Sequence, residues 1–235
     1  AFKGREYLLH LSFVTAQAEP LMPKGHEVAW AQFSLPITKP AESGETHPIR
    51  ALKTMPELRL DEDETDIRVD GDDFRIVFDR STGRITEWQA DGRPVIASGP
   101  RLNLWRAPTD NDAKRMEALW REVGLDTLEE TSADVSVTRL EPQSVRVTAT
   151  RATSVSGISV EYRTTIYGSG DGVLEYRVAV AETLPPLPRV GVAMTLPEEC
   201  RVLTWYGRGP HENYVDRKEG AALGVYTANV DALVV

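Results

Sequence analysis

At 235 residues the chain is long enough for one large all-β domain or two ordinary domains. It is 41% hydrophobic and 27% charged, the balance of a globular protein rather than a disordered or fibrous one. With 36 acidic and 27 basic side chains the formal net charge is −9, which argues against nucleic acid or an anionic membrane as partner. No apolar run reaches the length of a transmembrane helix, and the lone Cys200 excludes an intramolecular disulfide and a cysteine zinc cluster.

The first element expected is a strand over Tyr7–Val14, and the second a strand over His26–Leu35. In the second, Val28, Trp30, Gln32 and Ser34 alternate with Ala29, Ala31, Phe33 and Leu35. The turn-rich stretch Glu19–Gly25 joins the two. About 40 residues do not enclose a core unaided, so these strands need partners. Residues 36–66 read as a linker. Pro36, Pro40, Pro48 and Pro56 break regular structure, and Asp61-Glu62-Asp63-Glu64 reads as a solvated acidic run without the ligand spacing and central glycine of a calcium loop.

Beyond residue 66 the pattern is β. Phe74–Phe78 and Arg84–Trp88 flank Asp79–Gly83, a hairpin whose Gly83 is free to take positive φ. Asp91-Gly92 marks a second hairpin. Val145, Val147 and Ala149 suggest one strand. Ile158 to Ile166 and Leu174 to Val180 alternate on either side of Gly168–Gly172, and Val190, Val192 and Met194 suggest another strand. Met116, Leu119, Trp120 and Val123 recur at helical spacing. They predict one short helix that Asp110, Asn111 or Asp112 caps and Gly124 ends. Regular strands with frequent turns favour a sandwich.

Familiar catalytic motifs are missing. Gly207-Arg208-Gly209-Pro210 is no phosphate cradle, because Pro210 removes an N–H donor and no Lys-Ser/Thr pair follows; a tight turn after a strand Val202–Tyr206 is expected instead. His211-Glu212 lacks the second histidine of a zinc protease helix, and His10, His26, His47 and His211 are scattered. Glu212, Asp216 and Arg217 are expected to form a local ion-pair network. No Gly-x-Ser-x-Gly elbow occurs, and no carboxylate pair carries a distinctive glycosidase surround. Trp88, Trp105, Trp120 and Trp205 could stack on sugar rings, although a Trp on a strand or helix face is more often core. The ends of the chain (a start without Met, an apolar finish at Leu233-Val234-Val235) lead us to expect an internal piece of a longer polypeptide.

Three long stretches are more specific. They are Gly25–Phe33 (GHEVAWAQF), Arg106–Asp112 (RAPTDND) and Trp205–Arg217 (WYGRGPHENYVDR). In this order they resemble the C-terminal third of the large β-galactosidases of glycoside hydrolase family 2, over nearly the whole chain. The resemblance implies an all-β fold: an antiparallel β-supersandwich of the galactose mutarotase type over residues 67–235, truncated at its C-terminal end. Ahead of it come strands of a partial immunoglobulin-like β-sandwich over 1–39 and the linker 40–66. It further implies a full-length homo-oligomer that hydrolyses terminal β-D-galactose residues with retention. The catalytic barrel, with both glutamates and its magnesium and sodium sites, lies upstream, so no catalytic residue and no cofactor is expected here.

By the same resemblance Arg106, Asp110, Asn111 and Asp112 border the carbohydrate site, although helix capping explains those residue types unaided. In the family a mobile loop follows this motif. Here Ala113-Lys114-Arg115-Met116 runs directly into the helix. Gly207, Gly209, Pro210, Glu212, Asn213, Tyr214, Asp216 and Arg217 are assigned to a structural turn motif. The expected partners are the remainder of the longer chain and, in the full enzyme, a β-galactoside; the expected location is cytoplasmic. A carbohydrate-binding module and a mutarotase-type epimerase are the rival readings.

Overall fold

A computed structural model describes residues 6–37 and 52–233. The chain is all-β and antiparallel, with fifteen strands among the described residues and only short helices. It divides into two compact units, residues 48–198 and residues 1–47 with 199–235.

The larger unit contains three sheets, two of them large. One runs in the order β3-β4-β5-β6-β7: Arg59–Glu62, Asp66–Asp70, Phe74–Asp79, Ile85–Ala90 and Arg93–Pro94. The other runs β12-β11-β10-β9: Gly172–Val180, Ile158–Tyr167, Ser144–Thr153 and Glu130–Glu141. Period-2 alternation gives each sheet an apolar face, and burying both faces together builds the core. Ile67, Val69, Ile76 and Phe78 from the first sheet meet Val145, Val147 and Ile166 from the second in one buried cluster. Each such fully buried side chain contributes about 1.5–3 kcal/mol.

Strand β11 is long enough to serve two cores. Its other end carries Ile158, Val160 and Tyr162 into a second cluster with Leu102, Leu104, Trp120, Leu125 and Val155. Leu102 lies on β8 (Ser98–Asn103), which pairs with β13 (Gly191–Thr195).

The turns follow local chemistry. Asp79 accepts hydrogen bonds from Ser81 Oγ and from Thr82 N and Oγ1 at 2.7–2.8 Å, which closes the β5–β6 hairpin. These bonds, that from Ser81 foremost, hold its carboxyl below the usual aspartate range. Gly83 has φ +64°, and a Cβ there would come within 2.5 Å of Ala149 Cβ, so both the hand and the space demand glycine. Asp91 (φ +50°) and Gly92 (φ +71°) make the tight β6–β7 connection.

Two expectations need correction. Part of the stretch read as linker is built into the first sheet; of the rest, residues 38–51 lie outside the described residues. Its acidic run supplies β3 and the following turn, because two arginines neutralise it. Arg68 lies 2.7 Å from Asp63 and 3.4 Å from Asp61, and Arg80 lies 2.5 Å from Glu62. Asp63 also accepts from the backbone N–H groups of Thr65 and Asp66, as a turn-forming aspartate does. The single expected helix is in fact two, α1 (Asp110–Ala113) and α2 (Glu117–Glu122). Gly124 ends the second in the left-handed conformation, at φ +81°.

The smaller unit holds two hairpins, β1 with β2 (Leu8–Val14, Glu27–Ser34) and β14 with β15 (Val202–Gly209, Ala222–Asn229). Gln32 ties them by a two-way bond to the backbone of Leu223, with Nε2 donating to its carbonyl and Oε1 accepting from its N–H, both at 2.8 Å.

Candidate functional site

The loop after β8 gathers the residues that the sequence marked at 106–112. Thr109, in extended conformation, is the N-cap of α1, and Asp112 is its capping-box partner. This differs from the sequence expectation, in which Asp110, Asn111 or Asp112 capped the helix. The threonine wins because its hydroxyl both accepts from Asp112 N and donates to the Asp112 carboxylate, at 3.4 and 2.9 Å. Arg106 closes the loop with a two-pronged bond to Asp112 at 2.6 and 3.1 Å. The guanidinium also donates to Pro188 O at 3.0 Å and lies over the Trp120 ring at 5.5 Å.

The Arg106 bonds, reinforced by the Thr109 N–H, hold the Asp112 carboxyl down to about 2. Such a group is a fixed anion at neutral pH and makes a poor proton donor. Asp110 and Asn111 are exposed and make no side-chain hydrogen bond among the described residues. The structure thus joins Arg106 to Asp112 and leaves Asp110 and Asn111 outside the cluster. Trp120 is core, 3% exposed, with its indole N–H donating to Pro186 O at 2.8 Å and Trp105 packed edge-on at 6.3 Å.

The second marked motif, 205–217, begins in the expected strand, but that strand runs further than expected. Strand β14 continues through Gly209, where a turn had been expected from Gly207 onward, and pairs Gly207 with Gly224 and Gly209 with Ala222. The reason is the Tyr226 ring. A Cβ on Gly209 would meet that ring at 2.7 Å and one on Gly224 at 3.3 Å, so the glycines form a floor on which the tyrosine lies. Trp205 stacks on Tyr226 with centroids 5.5 Å apart and planes at 29°.

Pro210 then leaves the sheet, and the loop folds back on Arg208. Its Nη1 donates to Lys218 O at 2.5 Å and to Ala221 O at 3.0 Å, while its own carbonyl accepts from Trp205 Nε1 and Asn213 Nδ2 at 3.1 Å each. Glu212 pairs with Arg217 at 2.5 Å. Asp216, expected in that network, makes no ion pair among the described residues. The Tyr214 carbonyl accepts from the N–H groups of Arg217 and Lys218 at 2.8 and 2.9 Å. Beside this loop lies a groove of about 560 Å³ lined in part by Trp205, Pro210, His211, Glu212 and Asn213.

A third polar cluster escaped the sequence reading. The side chain of Glu130, at the start of β9, is 3% exposed and lies beside that of Arg151, 4% exposed. One carboxylate oxygen accepts from Arg151; the other accepts from the Tyr162 hydroxyl and from Leu102 N at 2.9 Å. Burial pushes the Glu130 carboxyl up, but the Leu102 N–H, the Tyr162 hydroxyl and Arg151 together outweigh it and hold the group below its ordinary value. The same burial, with the Glu130 bond, pushes the Tyr162 hydroxyl up. The only hint in sequence is that Arg151 falls in register with Val145, Val147 and Ala149 on the buried face of β10. The partner 21 residues away cannot be read from that pattern.

No group of three or more His, Cys, Asp or Glu side chains that could hold a metal ion occurs among the described residues. Likewise, no helix among the described residues is long and apolar enough to cross a membrane.

Comparison with known proteins completes the description. Residues 70–235 match the family described as beta galactosidase small chain, and residues 1–36 match the family described as beta-galactosidase, domain 4. A β-galactosidase of Priestia megaterium is 33% identical over 234 residues, covering 96% of this chain and 21% of the relative. One from Vibrio cholerae is 33% identical over 241 residues, covering 97% and 23%. One from Psychromonas ingrahamii is 29% identical over 252 residues, covering 98% and 23%. The chain therefore spans between a fifth and a quarter of the length of these relatives.

Proposed function

We infer the role of this chain from its family: it belongs to the beta galactosidase small-chain family, and we propose that it serves as a non-catalytic β-structured part of a longer β-galactosidase. That longer protein would hydrolyse terminal β-D-galactose residues with retention, through two carboxylates held about 5 Å apart. The observation that carries this reading is the family match over 70–235, joined by the domain 4 match over 1–36.

The chemistry of two enclosed carboxylates is in keeping with it. Asp112 is tied to Arg106 and Thr109, and Glu130 to Arg151, Tyr162 and Leu102. Neither is poised to exchange a proton with a substrate. A general acid needs its pKa raised toward the working pH, whereas both groups are held low. In the longer protein the Arg106–Asp112 loop would serve as a rigid wall facing the sugar site, and the partners would be the upstream remainder and a second copy of the whole.

The test is a graft. The Priestia megaterium enzyme shortened by the matched segment is expected to lose turnover of a chromogenic β-galactoside, and to regain it when this chain replaces that segment. The chain alone should show none. Turnover by the isolated chain, blocked by β-galactosides as competitors, would refute the non-catalytic assignment.

A further inference from the structure

One imidazole touches both ends of the loop that joins β14 to β15. We propose that His211 is a pH-dependent latch: protonated, it ties the start of that loop to its end, and deprotonated it lets the far end go.

The ring lies between two backbone carbonyls. Its Nδ1 is 2.8 Å from Glu212 O and its Nε2 is 3.4 Å from Gly220 O. A carbonyl oxygen only accepts, so each contact needs an N–H on the ring. Neutral imidazole carries one N–H, and its other nitrogen then turns a lone pair on an oxygen. Imidazolium alone donates at both. The shorter contact, to the adjacent residue, keeps the single proton in the neutral form. The contact to Gly220 reaches nine residues along the chain, and it is the one that closes the loop. The side chain is 32% exposed, so protons reach it from solvent.

Between the two anchor points the backbone is bonded to itself. Arg217 N and Lys218 N donate to Tyr214 O, Gly220 N donates to Arg217 O, and Ala221 N donates to Lys218 O, at 2.8–3.1 Å. These amides report whether the end of the loop is held. The charged groups around the latch are largely matched with one another. Glu212 Oε2 is 4.0 Å from Nδ1, but Oε1 of the same carboxylate takes Arg217 at 2.5 Å. Arg208 spends Nη1 on Lys218 O and Ala221 O, and its Nη2 is 3.9 Å from Glu219. Asp216 and Lys218 are exposed on the same loop. The two carbonyls therefore decide the preference for the charged ring, and imidazole is the side chain that ordinarily changes charge between pH 5 and 8.

The experiment is amide hydrogen exchange on the whole chain at pH 5.5 and pH 8, read as protection relative to the intrinsic rate at each pH. Gly220 and Ala221 should be about tenfold better protected at pH 5.5, the gain of one charge-assisted hydrogen bond. Gly83 N, which donates to Asp79 O at 2.7 Å in a turn closed by a carboxylate held below the usual aspartate range, should be equally protected at both. His211→Gln should remove the difference at Gly220 and Ala221. Glu212→Gln leaves both carbonyls in place and should keep it, which also serves if the His211→Gln chain does not fold. Equal protection at the two pH values, greater protection at pH 8, a change shared by Gly83, or a difference that survives in His211→Gln would each overturn the latch. Loss of the difference in Glu212→Gln would make the carboxylate the sensor and overturn the proposal as stated. Protection is read without turnover or ligand, so neither result bears on the hydrolase reading.

Discussion

Replacing Glu130 with alanine should cost more than any surface substitution in the chain. The carboxylate is 3% exposed and faces an Arg151 that is 4% exposed, and Arg151 Nε is already buried without a hydrogen-bond partner. Deleting one member of such a pair strands a buried charge, at about 3–5 kcal/mol. Leu102 N and the Tyr162 hydroxyl lose their acceptor as well, each worth about 1–3 kcal/mol if nothing replaces it. These losses overlap, so we expect about 5 kcal/mol for Glu130→Ala. Glu130→Gln keeps an acceptor for Leu102 and Tyr162 and should lose about 3 kcal/mol. With a urea m-value of about 3 kcal/mol/M, the alanine variant should unfold roughly 1–2 M earlier by tryptophan fluorescence.

The informative comparison is the double variant Glu130→Leu with Arg151→Met. Removing both charges leaves an apolar contact and should recover most of the lost stability, because the pair's attraction mainly offsets its own desolvation. A Glu130→Gln midpoint within about 0.3 M of the parent, or a double variant as weak as the two single losses added, would refute the buried-pair account. The pH dependence has a definite sign. The folded carboxyl sits below its ordinary value of 4.5, so its contribution is complete above that pH and disappears as the pH falls through the lower folded value.

Other perturbations follow from the same geometry. The Asp112 carboxyl sits at about 2 against an ordinary 3.8, so its contribution is full above about pH 4 and is lost as the pH falls through about 2. Thermal melts from pH 5 to 2 should therefore be flatter for Asp112→Asn than for the parent, and parallel curves would contradict the assignment. Gly209→Ala should lose about 1–3 kcal/mol, because the added methyl must displace the Tyr226 ring at 2.7 Å. A thermal midpoint unchanged by that substitution would show that the ring gives way freely.

Much of the fold is legible along the chain because sheets reveal themselves locally. The alternation from Ile158 to Ile166 and from Leu174 to Val180 became β11 and β12, and Gly168–Gly172 turns between them. Asp79–Gly83 closes its hairpin with its own side chains, so nothing distant was needed. The acidic stretch at 61–64 misled because its neutralising partners, Arg68 and Arg80, act only once the strands pair.

What the sequence by itself determined is the all-β class, the hairpin positions and, through three long motifs, the family. These depend on side-chain period, on turn residues that act on their own backbone, and on the identity of contiguous residues. Only the tertiary structure decided that Arg106 locks onto Asp112 beside Pro188, that Gly209 clears room for Tyr226, and that Glu130 lies buried against Arg151 and Tyr162. Each of those depends on which residues from separate strands and loops become neighbours, and no local pattern encodes that choice. A charged residue in a strand reads as solvent-facing until the partner that permits its burial is brought beside it.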